Sequence, residues 1–177
     1  MIEYSICIKN GKVTGDSTFY LLADTALSKE CERLSSFADA LDKDSSRKKE
    51  CIVDYKCAKY RYATVSLIHS LVRNNNRLRK SHNLETSFYL METFNEILAG
   101  HTEYFELYKS APANEKPDFS MYYGILAFIE KELSILENNL HNANDFEKIE
   151  LEERLDGLKF ATVCLDEAWK RRGEVIK

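Results

Sequence analysis

The sequence predicts a mainly α protein, an antiparallel bundle of about five helices, four of them long, preceded by a short N-terminal β-hairpin. Three observations carry that prediction. The 177 residues include only six Gly and two Pro, which favours long regular elements over many short turns. From Ser17 onward, apolar residues recur every three or four positions, the period of one helix face. Before that point Ile2, Tyr4, Ile6 and Ile8 alternate with Glu3, Ser5 and Cys7 and lead into Asn10-Gly11, a strong two-residue hairpin signal.

The hairpin is expected over residues 1–15, with a short partner strand near Lys12 to Thr14. A first helix over 17–42 is capped by Ser17 or Asp16 and carries the stripe Tyr20, Ala23, Leu27, Cys31, Leu34, Ala38 and Leu41. "DKDSS" interrupts it. A second helix over 46–74 starts at Ser45 or Ser46 and ends at the Asn triplet 74–76, whose side chains compete for backbone hydrogen bonds. The third spans 83–108, with Leu84, Phe88, Met91, Phe94 and Leu98 inward. After the loop "APANEKP", Asp118 caps a fourth helix over 118–141, bearing Tyr122, Leu126, Ile129, Leu133, Leu136 and Leu140. A fifth covers 145–172, where Asn144 with Glu147 forms a capping-box variant. Neither an internal repeat nor a linker divides the chain, so 1–177 reads as one helical domain. Four helices of this length are each about 35 to 40 Å long.

The second helix has two opposed apolar faces. Cys51, Tyr55, Ala58, Tyr62, Val65 and Val72 mark one, and Val53, Cys57, Tyr60, Thr64, Leu67 and Leu71 the other. A helix of that kind packs between neighbours. His69 falls on the Tyr62/Val65 side and reads as a hydrogen-bonded core histidine. Asp24 and Glu30, on the first helix, have no obvious partner in the sequence.

Composition narrows the function classes. Hydrophobic content of 44% with 31% charged residues fits a folded globular protein and not a disordered one. No apolar run approaches the length of a membrane span, and "MIEYSICIKNGKV" does not read as a signal peptide. The five cysteines form no C-x-x-C pair and read as buried thiols in a reducing compartment, so a cytoplasmic location is expected. The net charge of -4 is unevenly spread: residues 47–80 carry +8, residues 81–177 carry -9 and residues 1–46 carry -3. A basic segment can hold a phosphate backbone, and acidic "EKIELEERLD" at 147–156 can engage a basic partner protein.

Catalytic signatures are sparse. The chain lacks phosphate-loop, dinucleotide, zincin and nucleophile-elbow motifs, and no cofactor or metal is expected. Glu137 and His141, four apart on one helix, read as a helix-end ion pair. Arg77-x-x-x-x-His82 resembles the R-x4-6-H motif of the HEPN superfamily, whose members are helical bundles and often ribonucleases. That resemblance implies an exchange of a proton between His82 and a ribose hydroxyl while Arg77 holds the scissile phosphate. Leu78 and Leu84 stand where family members commonly carry a polar residue and the toxin branch often carries a tyrosine.

The function expected from the sequence is non-catalytic binding of another protein or a nucleoprotein complex, as an accessory, inhibitor or immunity-type protein working through protein-protein contacts, with no membrane partner. Tyr104, Tyr108 and Tyr123 are the expected exposed anchors. The alternative is a HEPN-like ribonuclease or RNA-binding protein using Arg77 and His82. Lys56, Lys59, Arg73, Arg77, Arg79 and Lys80 are the candidate contacts to RNA or DNA.

Overall fold

The computed structural model describes residues 8–9, 12–13, 15–81, 102–112 and 115–173. Six helices occur among the described residues: α1 (Thr18–Asp42), α2 (Ser45–Glu50), α3 (Ile52–Ser81), α4 (Thr102–Ser110), α5 (Lys116–Leu140) and α6 (Asp145–Lys170). The chain is mainly helical, as its periodicity implies. The hairpin expected over 1–15 is not seen at that length. The described backbone carries only a two-rung antiparallel bridge, Ile8 opposite Val13 and Lys9 opposite Lys12; residues 1–7 lie outside the described residues.

Two helix starts follow their sequence signals. The Ser17 hydroxyl accepts from the Tyr20 amide at 3.0 Å, satisfying one of the four donors that a helix start leaves open. At α6, Asn144 accepts from the Phe146 and Glu147 amides while the Glu147 carboxylate accepts from the Asn144 amide, each at 3.0 Å, a complete capping box.

Four boundaries differ from expectation. The stretch expected as one helix over 46–74 is two, because Cys51 leaves helical geometry (φ -107°, ψ 29°) between α2 and α3. The cap of α2 is Asp44, which accepts from the Arg47 amide at 3.1 Å, rather than Ser45 or Ser46. At the other end the Asn triplet does not stop the helix, and α3 continues to Ser81. Asn75 and Asn76 are buried, and the Asn76 amide donates to Asp16 at 2.7 Å. A tertiary partner thus occupies the side chain that would otherwise compete with the helix. Likewise α5 begins at Lys116, with Pro117 in its first turn and no side-chain cap. Asp118 is buried inside that turn, where it accepts from the Ser17 hydroxyl at 2.6 Å. Of the helix expected over 83–108, only Thr102–Ser110 is described; residues 83–101 lie outside.

The pairing of side chains gives the helix directions. Asp16 of the α1 entry meets Lys80, Asp24 meets Arg73, and Asp42 meets Lys48 just before α3, so α1 and α3 run antiparallel. The Phe19 and Trp169 rings touch at 5.6 Å, setting the start of α1 beside the end of α6. Therefore α6 runs parallel to α3 and antiparallel to α1. The Tyr122 hydroxyl donates to Asp166 at 2.8 Å, which makes α5 antiparallel to α6. The core between them holds Leu27, Val65, Ile68, Ile125, Leu158 and Leu165, all essentially inaccessible. Burial of each contributes about 1.5–3 kcal/mol.

The central position of α3 is observed, but its two faces are unequal. Ala58, Val65 and Val72 are buried on one side, whereas Val53 and Leu67 on the other are exposed, at 54% and 43%. Where α3 meets α6, side chains give way to backbone. A Cβ placed on Gly157 would lie 2.0 Å from the Thr64 hydroxyl and 3.1 Å from the Arg61 carbonyl. Only glycine permits this approach. A helical Gly→Ala change normally stabilises by about 1 kcal/mol. Here Gly157→Ala is expected to lower the free energy of unfolding by about 1–3 kcal/mol, measured by urea denaturation. Adding Thr64→Ala restores part of it, and an unchanged or raised midpoint for Gly157→Ala would show that the helices have room to part.

Candidate functional site

Acidic side chains of the first helix organise one long seam with α3. Asp24 accepts from His69 Nε2 at 2.8 Å and from Arg73 Nε at 2.7 Å. His69 is thus the hydrogen-bonded histidine expected, and Asp24 has the partners its sequence context did not reveal. Burial pushes the Asp24 carboxyl up, but the Arg73 and His69 hydrogen bonds and charges together outweigh it and hold the group below its ordinary value. Lys80 meets Asp16 at 2.5 Å, and Lys48 meets Asp42 at 2.5 Å while Tyr55 donates to the same carboxylate.

This seam engages two of the residues expected to contact nucleic acid. Arg73 and Lys80 are committed to Asp24 and Asp16. Lys56 and Lys59 are exposed, the latter 5.6 Å from the Tyr55 ring centre. Arg77 is exposed in the last turns of α3, within a helix and not ahead of one. His82 and the side chain of Arg79 lie outside the described residues, so the Arg77–His82 pair has no geometry to report.

The tyrosines expected to be exposed anchors form an internal aromatic layer. Tyr108 is buried and meets Phe119 at 6.4 Å; its expected exposure is overturned. Tyr104 and Tyr123 are half-buried and stack on each other at 4.8 Å. Desolvation, followed by a hydrogen bond to Glu130, pushes the Tyr104 phenol up to about 12. Tyr122 lies parallel to Trp169 at 4.6 Å, and burial with the Asp166 carboxylate raises its phenol far above the ordinary value. These rings exceed one helical stripe because α4, α5 and α6 share them.

The described cysteines are unpaired thiols. Cys164 is buried and pushed up to about 11 by desolvation and then by Glu30; Cys31 and Cys57 are half-buried and also raised, chiefly by burial. Such thiols are poor nucleophiles at neutral pH. Glu137 and His141 are both exposed at the end of α5, and no group of three metal-ligating side chains occurs among the described residues. None of the described helices is long and apolar enough to cross a membrane.

A concave feature lies at the far end of the seam, where α1, α3 and α6 meet. It is a cleft of about 210 Å³. Leu34 and Phe37 of α1 and Ala58 of α3 give it apolar lining, and Arg33, Asp54, Cys57, Arg61 and Glu153 give it polar lining. Arg33 is held by Glu30 through two hydrogen bonds of 2.8 and 2.7 Å. Arg61 reaches Glu153 at 3.1 Å and Asp156 at 3.3 Å, while its Nε is buried with no hydrogen bond to a described residue. The sequence reading missed this cleft. Its usable signal was Arg33 and Phe37, one turn apart and off the core stripe of α1.

Further large apolar side chains are exposed on α6. Phe160 stands seven residues beyond Glu153, on the same side of α6, and Val163 is one turn further. Phe37, Phe160 and Val163 are exposed, at 39%, 36% and 59%. Neither a family model, nor a curated protein, nor a solved structure matches the chain.

The seam yields a pH dependence. Because the folded Asp24 carboxyl lies below its ordinary value of 3.8, its stabilisation is complete above that value and is lost as pH falls through the folded one. Asp24→Asn should therefore be less stable than the parent at pH 7, with the difference closing below about pH 4. Denaturant titrations across pH 2–7 measure it, and a constant difference would refute the role of the carboxylate.

Proposed function

We propose that this protein is a non-catalytic binding module that works through contacts with another protein. The observation that carries the reading is the exposure of three large apolar side chains, Phe37 at the cleft wall and Phe160 and Val163 on α6. Exposed aromatic and aliphatic side chains can serve as interface anchors. The anchors move accordingly, from Tyr104, Tyr108 and Tyr123 to α1 and α6. The chemistry of the charged groups agrees with this, since Asp24, Arg73, Arg33 and Arg61 are committed to ion pairs between helices or along them.

Affinity capture from native-host extract, with the full chain as bait, tests the reading. Val163→Glu should reduce the retained partner at least tenfold, because an exposed valine can be changed without disturbing the fold and a buried interface charge is costly. Ser134→Glu, exposed on α5, should retain it in full. Equal capture by both variants removes Val163 and the exposed face of α6 from the interface. The alternative based on Arg77 and His82 has its own outcome: RNA cleavage by the parent chain that His82→Ala abolishes would replace the binding reading.

A further inference from the structure

We infer that the cleft between α1, α3 and α6 is a receptor for a lysine or arginine side chain presented by a peptide segment of the partner protein. This inference rests on the protein-binding reading above and names the chemistry of the anchor.

Charge decides the sign of the guest. Two guanidinium groups line the cleft, Arg33 and Arg61. Four carboxylates line it or pair directly with those groups: Glu30, Asp54, Glu153 and Asp156. The arginines are neutralised locally, and two negative charges remain. Asp54 is exposed and makes no ion pair with a described residue, so its carboxylate is available to an incoming cation. An anionic guest would have to displace Glu30 or Glu153 from an arginine, whereas a cationic guest completes the balance.

Shape and lining agree. Leu34 and Ala58 provide aliphatic surface for a methylene stem, the part of Lys and Arg that packs against apolar groups while the head stays polar. Phe37, half in solvent at the cleft wall, can face a cation with its ring. A volume of about 210 Å³ holds one side chain and falls below the usual range of a drug-sized ligand pocket.

The test is a nuclear magnetic resonance titration of the isotope-labelled full chain with N-acetyl-arginine amide, and with N-acetyl-citrulline amide as a neutral control of the same shape. Arginine should shift amides of residues 33–37, 54–61 and 153, and citrulline should not. Asp54→Asn, at an exposed position, should weaken arginine binding about fivefold, the size of one ion pair near the surface. Shifts outside the cleft, an equal response to citrulline, or unchanged affinity in Asp54→Asn each overturn the inference. The two readings separate in the capture experiment. A partner lost by Val163→Glu but kept by Asp54→Asn leaves the binding module standing and removes the cationic anchor. A partner kept by Val163→Glu removes the exposed apolar face of α6 from the binding reading.

Discussion

The contact between Gly157 and Thr64 is the constraint on which the arrangement of the bundle depends. With no Cβ on Gly157, α6 settles against α3 at backbone distance. That closeness brings Glu153 and Asp156 to Arg61 and lets α1 reach both helices. The cleft exists because three helices converge there around a charged residue that none of them can fully cover. A larger residue at 157 would open the α3–α6 spacing and pull the carboxylates from the guanidinium. The cost would then include the desolvation of a charged group deprived of its partner.

The opposite end of the bundle is organised by aromatic rings and one short hydrogen bond. Ser17 both caps α1 and donates to Asp118 in α5, so a single side chain joins two helix starts. Phe19, Tyr122 and Trp169 close over this point. The two ends have different chemistry: the aromatic end is tightly interlocked, and the cleft end is polar and open. The proposed binding role would draw on that division, since rigid packing at one end holds the helices that present the other.

Local signals in the sequence were legible where the physics is local. The Ser17 cap, the Asn144–Glu147 box and the apolar stripe of α1 involve residues within a turn of each other, and all appear in the structure. Apart from the local cap of α2 and the break at Cys51, the errors share a cause: partners distant in sequence. Asn76 meets Asp16, sixty residues away, and no helix propensity anticipates that bond. Asp118 had the composition of a cap, yet Ser17 holds it inside the turn. Tyr108 seemed surplus to one helix face because the face that buries it belongs to α5. The cleft escaped notice for the same reason, being assembled from positions 33 to 153.

The acids Asp16, Asp24 and Asp42 have a joint effect beyond their individual strength. Exposed ion pairs contribute under about 1 kcal/mol each, so this set does little to hold the fold together. They are spread along α1 over roughly 39 Å, and each meets a partner beside or within α3. Sliding one helix past the other by a single turn, about 5.4 Å, would part Asp16 from Lys80 and Asp24 from Arg73 at once. An apolar interface alone tolerates such a slip far better. The seam therefore acts as a vernier that selects one register between two long helices, and with it the level at which Arg33 and Arg61 come to face each other.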